Sequence, residues 1–598
     1  VAQKIEGKSE RPLQTYWLKQ FAAVNTVANR MSLPQDACFY DLTNCQPIGF
    51  SNLHSINGAE GPIFDFGAHR VYADFNVNIG NQEYLLIATL DGYLFSYKVG
   101  TAWATAVQQI ASGLATDGSL DITQYDNTTA LILTSSGYYS WQGGSSITTI
   151  NTTSNANTGG ATGQPSAPSK GQAIAVYQNM VWIADGRTLY FSAPGSSTDT
   201  PPAYTIFSTT SGGGWEIIRD SHLKSDIKAL YALNGYLYVF GEQSIDVIAN
   251  VTQVQTTAGS AVTGSTGTYT RQNISSIVGT DSPESVMAYG SLVFFANRYG
   301  IWMIAGTTVM QASTDANNAY YSGIDGTWQY LDFNHYNDSV GWINRAGDTV
   351  DWQNNNHNPV LWQFQTYTPF LFHISGGQVK SNNLLCAAFN VVRKNDPTMG
   401  SGNFLVLYQG DATGSNYKWW FADWTSDIGP ITHVCSANMP DYSGPALFGY
   451  IYNKLYQFFA DDQAANAPAA RIMTGLWDFG DPLSDKQAIR AGIRVSMITQ
   501  ADPAIDVHLD TLSHSYPIPL GDIGALDWVN STEQLTPWKN NAANQVQWQS
   551  LRNYMIYWGK APEGFSKHLG FTVRTQHGTQ FELNGFFLDY KVGPRWLS

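Results

Sequence analysis

Residues 227–250, IKALYALNGYLYVFGEQSIDVIAN, set a pattern that the rest of the chain repeats. Apolar residues alternate at Ile227, Ala229 and Tyr231, at Tyr236, Tyr238 and Phe240, and at Ile245 and Val247. That period of two indicates half-buried strands, and the turns at Asn234-Gly235 and at residues 241–244 leave no room for helices between them. The segment is therefore expected to form a β-meander. The same order of strand, turn, aromatic strand, turn and strand returns at 84–97, 130–150, 171–193, 286–309 and 446–459, with turn signals at Asp91-Gly92, Ser136-Gly137, Gly143-Gly144 and Asp185-Gly186. One meander used many times points to radial repetition about an axis, in which each small sheet buries its faces on its neighbours. The expected fold class is all-β: a β-propeller of six or seven blades, a C-terminal β-sandwich-like domain and long loop insertions.

The expected organisation is an N-terminal arm over residues 1–50, a propeller with insertions over 51–461 and a sandwich-like domain over 462–598. In the first segment Tyr16, Trp17, Phe21, Val24, Val27 and Met31 form a loose helical stripe that Pro34 would stop. Two stretches, 152–170 and 252–269, are rich in Asn, Ser, Thr and Gly and low in bulky apolar residues. They read as long projecting loops, where insertion costs little stability. Between 314 and 421 the strand signal weakens among Trp328, Trp342, Trp352, Trp362, Trp419 and Trp420, so blade counting fails there. The string DDQAANAPAA from Asp461 reads as a linker. Beyond it, strands are expected at 488–499, 504–509, 553–558, 569–574 and 581–590.

Charge narrows the function classes. A formal net charge of −15 over 598 residues argues against tight nucleic-acid binding, which needs clustered Lys and Arg on phosphates. Ordinary solubility explains such a balance, and it also suits a surface past which DNA slides without sticking. Cys38, Cys45, Cys386 and Cys435 show neither a disulfide framework nor zinc-ligand spacing, and read as small buried apolar residues. There is no apolar run of membrane-spanning length, so stable membrane insertion is not expected.

The search for chemistry assigns no catalytic, cofactor-binding or metal-binding residue. SGIDGTW, 322–328 with Asp325, resembles an Asp-box turn but is one residue short and occurs once; an ordinary tight turn explains it. His335, His357 and His373 lack a metal-binding spacing. DGSLDITQYD, 117–126, holds three carboxylates outside the register of a calcium loop and reads as a solvated turn. No nucleophile elbow, phosphate loop or dinucleotide fingerprint occurs. Aromatic pairs such as Trp419-Trp420 could stack on sugar rings, although packing also consumes aromatics.

Over 171–320 the ordered match is more specific. YFSAPG at 190–195, the 227–250 segment, RQNISSIVGTDSPESVMAYGSLVFFANRYGIWMI at 271–304 and VMQASTDANNAY at 309–320 together resemble the tail hub or nozzle proteins of short-tailed bacteriophages. Gly241, Glu242, Ser244, Asp246 and Val247 match one step of that family's pattern, Gly279, Ser282, Pro283 and Ser285 a second, and Ser313 and Thr314 a third. The resemblance covers about a quarter of the chain well, and departs from the pattern at the polar insert 252–269 and in the N-terminal segment. It implies a non-enzymatic structural subunit of a virion: a homohexameric ring at the tail tip that extends the DNA ejection channel, helps retain and release the genome, and contacts tail adaptor and tail fibre or spike proteins. Assembly would take place in the bacterial host cytoplasm, and genome DNA would pass through without sequence-specific binding. Six times −15, about −90, would then surround one channel, felt by DNA over about 8 Å at physiological salt. The alternative reading is a propeller glycosidase or a glycan-binding adhesion module acting on a cell-surface polysaccharide, which in the first case needs paired carboxylates flanking a sugar.

Overall fold

A computed structural model describes residues 13–595 apart from 153–166, 314–335, 343–373, 393–402, 523–554 and shorter gaps of up to seven residues. The chain divides into two compact units, one of residues 59–417 and 424–460, the other of 1–58, 418–423 and 461–598.

The first unit is a β-propeller with seven blades among the described residues. Blades 1 to 5 are four-stranded antiparallel meanders whose innermost strands are Val71–Ile79, Asp121–Gln124, Ala173–Tyr177, Ala229–Leu233 and Met287–Tyr289. Blade 6 begins with Gly376–Ser381, Leu384–Val392 and Asn403–Gly410. Blade 7 is Ile431–Asn438, Pro445–Ile451 and Lys454–Phe458, completed on its outside by Glu60–Asp65 from the start of the unit. The innermost strands neighbour one another in sequence, and the last lies against the first, so the ring is closed. The choice between six and seven is thus settled at seven.

The blades are buried on both faces, not on one as the alternation suggested. In Ala130–Leu133, Ala130 and Ile132 enter the layer shared with blade 1, while Leu131 and Leu133 enter the layer shared with blade 3. In Tyr236–Phe240, Leu237 and Val239 face blade 3 and Tyr238 and Phe240 face blade 5. The core is therefore a series of layers between blades, and a middle strand must be apolar at every position. Turns are set by residues that tolerate left-handed backbone: Asn234 and Gly235 have φ of 53° and 80°, the pair a two-residue hairpin requires.

Residues 252–258 and 261–269 are strand, not loop. Blade 4 ends in two long strands, Ile245–Ala258 and Ala261–Ser275, paired from Ile245↔Ser275 to Ala258↔Ala261. Thr and Val favour extended backbone, but the stretch alternates no apolar face, which hid the strand signal.

The second unit is a sandwich. One sheet runs Cys45–Ile48, Asn52–Ser55, Phe581–Arg595, Ser484–Met497, Met555–Lys560, Gly521–Asp522. The other contains Cys38–Thr43, Arg471–Thr474, Gly570–Thr575, Ile505–Asp510 and Ser515–Ile518. Phe571 stacks on Phe586 at 5.6 Å, and Phe21 and Phe39 also lie against Phe586. The helical reading of the N-terminal segment is corrected here: Gln14–Leu18 is a strand paired with the last strand, from Gln14↔Tyr590 to Leu18↔Phe586. Trp17 stacks on Phe587 at 5.5 Å, a partner hundreds of residues away that no local periodicity reveals. The expected linker is also an integral piece. Ala467, Pro468 and Ala470 are buried, and Ala470 exchanges hydrogen bonds with Thr575 through its N–H and its carbonyl.

Candidate functional site

Innermost strands of neighbouring blades splay apart and do not pair through their backbones, so their facing N–H and C=O groups need other partners. A side chain from one blade meets the backbone of the next at every seam of the described ring, including the last, where His433 Nε2 accepts from Asp74 N–H at 3.2 Å. Gln124 accepts from Asn78 N–H at 2.9 Å and donates to its carbonyl at 2.8 Å, joining blades 1 and 2. Asp121 accepts from Ile174 N–H at 2.8 Å, and Gln172 donates to Ile227 C=O at 3.0 Å. Tyr231 Oη accepts from Ala288 N–H at 2.9 Å, and Gln378 donates to Ala288 C=O at 2.6 Å. Ser375 Oγ accepts from Val434 N–H at 2.7 Å, while Asn390 donates to Thr432 C=O at 3.0 Å.

The seventh seam, where blade 7 meets blade 1, adds a contact between two buried side chains to its backbone bridge. Asp74 Oδ1 lies 2.6 Å from His433 Nε2, with the two side chains 0% and 2% exposed. The Cys435 thiol and the Tyr450 hydroxyl of blade 7 share this site. Burial pushes both groups well above their ordinary values, and the Asp74 carboxylate pushes them further. Cys435, half-buried with its thiol beside the Asp74 carboxyl group, therefore departs from the expectation of a small buried apolar residue, whereas Cys45 and Cys386 are buried as expected.

Where the inner strands begin, acidic groups from different blades act on one another. Asp121 opens its strand and accepts hydrogen bonds from Ile122 and Ile174 N–H, both at 2.8 Å. Burial raises its pKa from 3.8 to about 7; the two N–H groups oppose that rise and Glu284, from the turn into blade 5, adds to it. The Tyr72 hydroxyl is also raised, by burial first and then by Glu284, Asp117 and Asp121. Asp117 and Asp126 of the same 117–126 stretch are turn caps, held below the ordinary carboxylate range by hydroxyl and backbone donors that outweigh their burial. The solvated-turn reading thus fits these two and misses Asp121.

The sign of the pH effect follows. Between about pH 4 and pH 7 the folded state holds a proton on Asp121 that the unfolded chain has released, so stability falls as pH rises through that window. Asp121→Asn is expected to cost a roughly constant amount, because its amide nitrogen faces a backbone donor, and to remove a slope on the order of a few kcal/mol across the window. Thermal melts from pH 4.5 to 8 measure this; an unchanged slope counts against the assignment.

The residues matched by the family pattern hold the turn of blade 4, the passage from blade 4 to blade 5, and the strands of blade 5. Gly241 N–H donates to Ser244 C=O at 2.8 Å, and Gly241 C=O accepts from Thr280 N–H at 3.0 Å. Ser285 Oγ accepts from Ala296 N–H at 2.8 Å, Asn297 donates to Gly279 C=O at 2.9 Å, and Ser313 Oγ accepts from Ile301 N–H at 2.9 Å. Ser244, Ser282, Ser285 and Ser313 are all buried. Asp246 is held by Arg271 and Asn273, each at 2.7 Å.

Trp419 and Trp420 are fully buried and so cannot offer a sugar-stacking face. Asp325, Trp328, Trp352, Trp362, His335, His357, His373 and Thr314 lie outside the described residues, as does the side chain of Trp342. Among the described residues no group of three His, Cys, Asp or Glu side chains is placed to hold a metal ion, and no helix is long and apolar enough to cross a membrane.

No family model matches this chain, and no curated protein matches it. Among solved structures it is similar to BBS1N in complex with ARL6DN, at 10% identity over 68% of this chain and 97% of that one, with a TM-score of 0.34. It is also similar to the N-terminal domain of Nup159, at 8% identity over 69% and 97% with a TM-score of 0.31. YCF48 bound to D1 peptide is similar at 8% identity over 77% and 98%, with a TM-score of 0.29.

Proposed function

We propose that this chain is a structural wall subunit: one member of a nozzle or hub ring at the tail tip of a short-tailed bacteriophage, through which genome DNA is held and then ejected. The observation that carries the reading is the ordered motif match over 171–320, whose glycines let the blade 4 turn meet the lead-in to blade 5 and whose serines brace blade 5 internally. A motif of that kind specifies architecture, so its presence speaks for a shared scaffold and not for a shared reaction. The acidic balance supports the same reading, since a wall carrying −15 per copy repels phosphate. In this role the ring is homohexameric, and neighbouring copies, a tail adaptor and fibre or spike proteins are its partners.

The glycan-binding alternative loses its Trp419-Trp420 platform to burial. Cryo-electron microscopy of the purified chain and of intact particles tests the proposal. Closed rings in solution and matching density at the tail tip are the expected result; a monodisperse monomer missing from the tail would overturn it.

A further inference from the structure

The long hairpin of blade 4 outruns the sheet that carries it. The two inner strands of that blade are five residues each, while the outer two are 14 and 15. Tyr236–Phe240 covers only residues 245–248 of the third strand, so from Ala249 onward that strand pairs with its hairpin partner alone among the described strands.

The root of the hairpin is fixed. Arg271 bonds Asp246 at 2.7 Å and reaches Glu216 of blade 3 at 3.2 Å. Tyr269 donates to Glu216 and sets its ring edge-on to Trp182 at 5.4 Å and Phe191 at 5.6 Å. Gln253 donates to Gly212 C=O at 3.2 Å, and a side chain at Gly267 would strike Phe191 and Gly212. Up to Gln253 and Gly267 the hairpin is therefore clamped on blade 3. Residues 254–258 and 261–266 lie beyond the clamp, and among the described strands their outer backbone edges have no strand partner.

Unpaired, proline-free edges of β-favouring residues are sites of strand addition, which proteins usually block with charge. Here the usual protection is missing: residues 252–270, TQVQTTAGSAVTGSTGTYT, contain no Asp, Glu, Lys, Arg or His, in a chain of net charge −15. A basic partner would be drawn to the acidic remainder of the surface. A neutral stretch is instead where a like-charged molecule can approach with least repulsion, and the like-charged molecule is a second copy of this chain.

We propose that the strand ends 254–258 and 261–266 form an assembly arm that docks on a second copy of this chain by edge-to-edge strand pairing. This deepens the ring reading above and rests on it, because it names the surface through which copies join.

The test compares the full chain with a variant in which Asn-Gly replaces residues 254–266, joining Gln253 to Gly267 by a two-residue turn that preserves their pairing. Sedimentation velocity should give an oligomer for the full chain and a monomer for the variant, with unchanged Tm because the clamp is retained. A second variant, Thr256→Lys with Gln255→Glu, keeps the length and puts charge on the arm; association should weaken about tenfold or more and recover in part at high salt. An oligomer unaffected by either change overturns the arm and leaves the ring standing. A full chain that stays monomeric at every concentration overturns both.

Discussion

His433→Ala is expected to destabilise the propeller by roughly 3–5 kcal/mol at neutral pH, among the largest effects of any single replacement in this chain. The pair it breaks closes the ring, holding the first blade to the last with Asp74 Oδ1 and His433 Nε2 2.6 Å apart and both side chains out of water. Truncating His433 leaves the Asp74 carboxylate in an apolar seam with only the Cys435 and Tyr450 protons near it. A buried polar group that loses its partner costs far more than the intact contact contributes. The double replacement Asp74→Ala with His433→Ala should therefore cost clearly less than the two singles added together, with a coupling of about 1–3 kcal/mol. Hydrogen exchange adds a location: amides of Val71–Ile79 and Ile431–Asn438 should lose protection before those of blade 3. Additive losses, or uniform loss of protection around the ring, would mean the pair does not latch the seam.

These side-chain bridges between blades, and the Asp74–His433 contact added at the last seam, are where sequence reading ran out. The meanders were legible because their turns carry Asn-Gly or Asp-Gly, and Asn234-Gly235 and Gly92 do adopt positive φ. The two-sided burial of Ala130–Leu133 was half legible, since its four residues are all apolar and alternation was never the right template for them. Gln124, Gln172 and Gln378 carried no signal, because a glutamine bridging two blades cannot be told from a glutamine in a turn until the blades are side by side. The same holds for Asp74 and His433, which are 359 positions apart in sequence. Gln14–Leu18 misled for a related reason: its strand exists through pairing with the opposite end of the chain, and tertiary context overrode a weak helical period. The family-pattern residues, by contrast, were found without their role; the glycines and serines were visible as a spacing, and only the assembled blades say what each one does.

The passage from blade 4 to blade 5 gives the second large effect, Gly279→Ala. A methyl group at Gly279 would stand 2.0 Å from the Gly241 carbonyl oxygen, 2.7 Å from Ser244 N and 2.9 Å from Gln243 N. All three obstacles are backbone, so no side chain can rotate aside to make room. Relief requires moving the 241–244 turn away from residue 279, which strains the bond from Thr280 N–H to Gly241 C=O and the one from Asn297 to Gly279 C=O. Overpacking of this kind usually costs 1–3 kcal/mol, and with rigid backbone on the far side the expected loss is about 3 kcal/mol or more, read as a lower Tm for the propeller. Gly144→Ala is the control: nothing lies within 4 Å of its added carbon, so its effect should stay within about 0.5 kcal/mol. A Gly279→Ala protein that melts with the control would show that blades 4 and 5 can separate by half an ångström or more at no cost. In that case the matched glycines would not be there for close approach, and the architectural meaning given to the motif would fail with them.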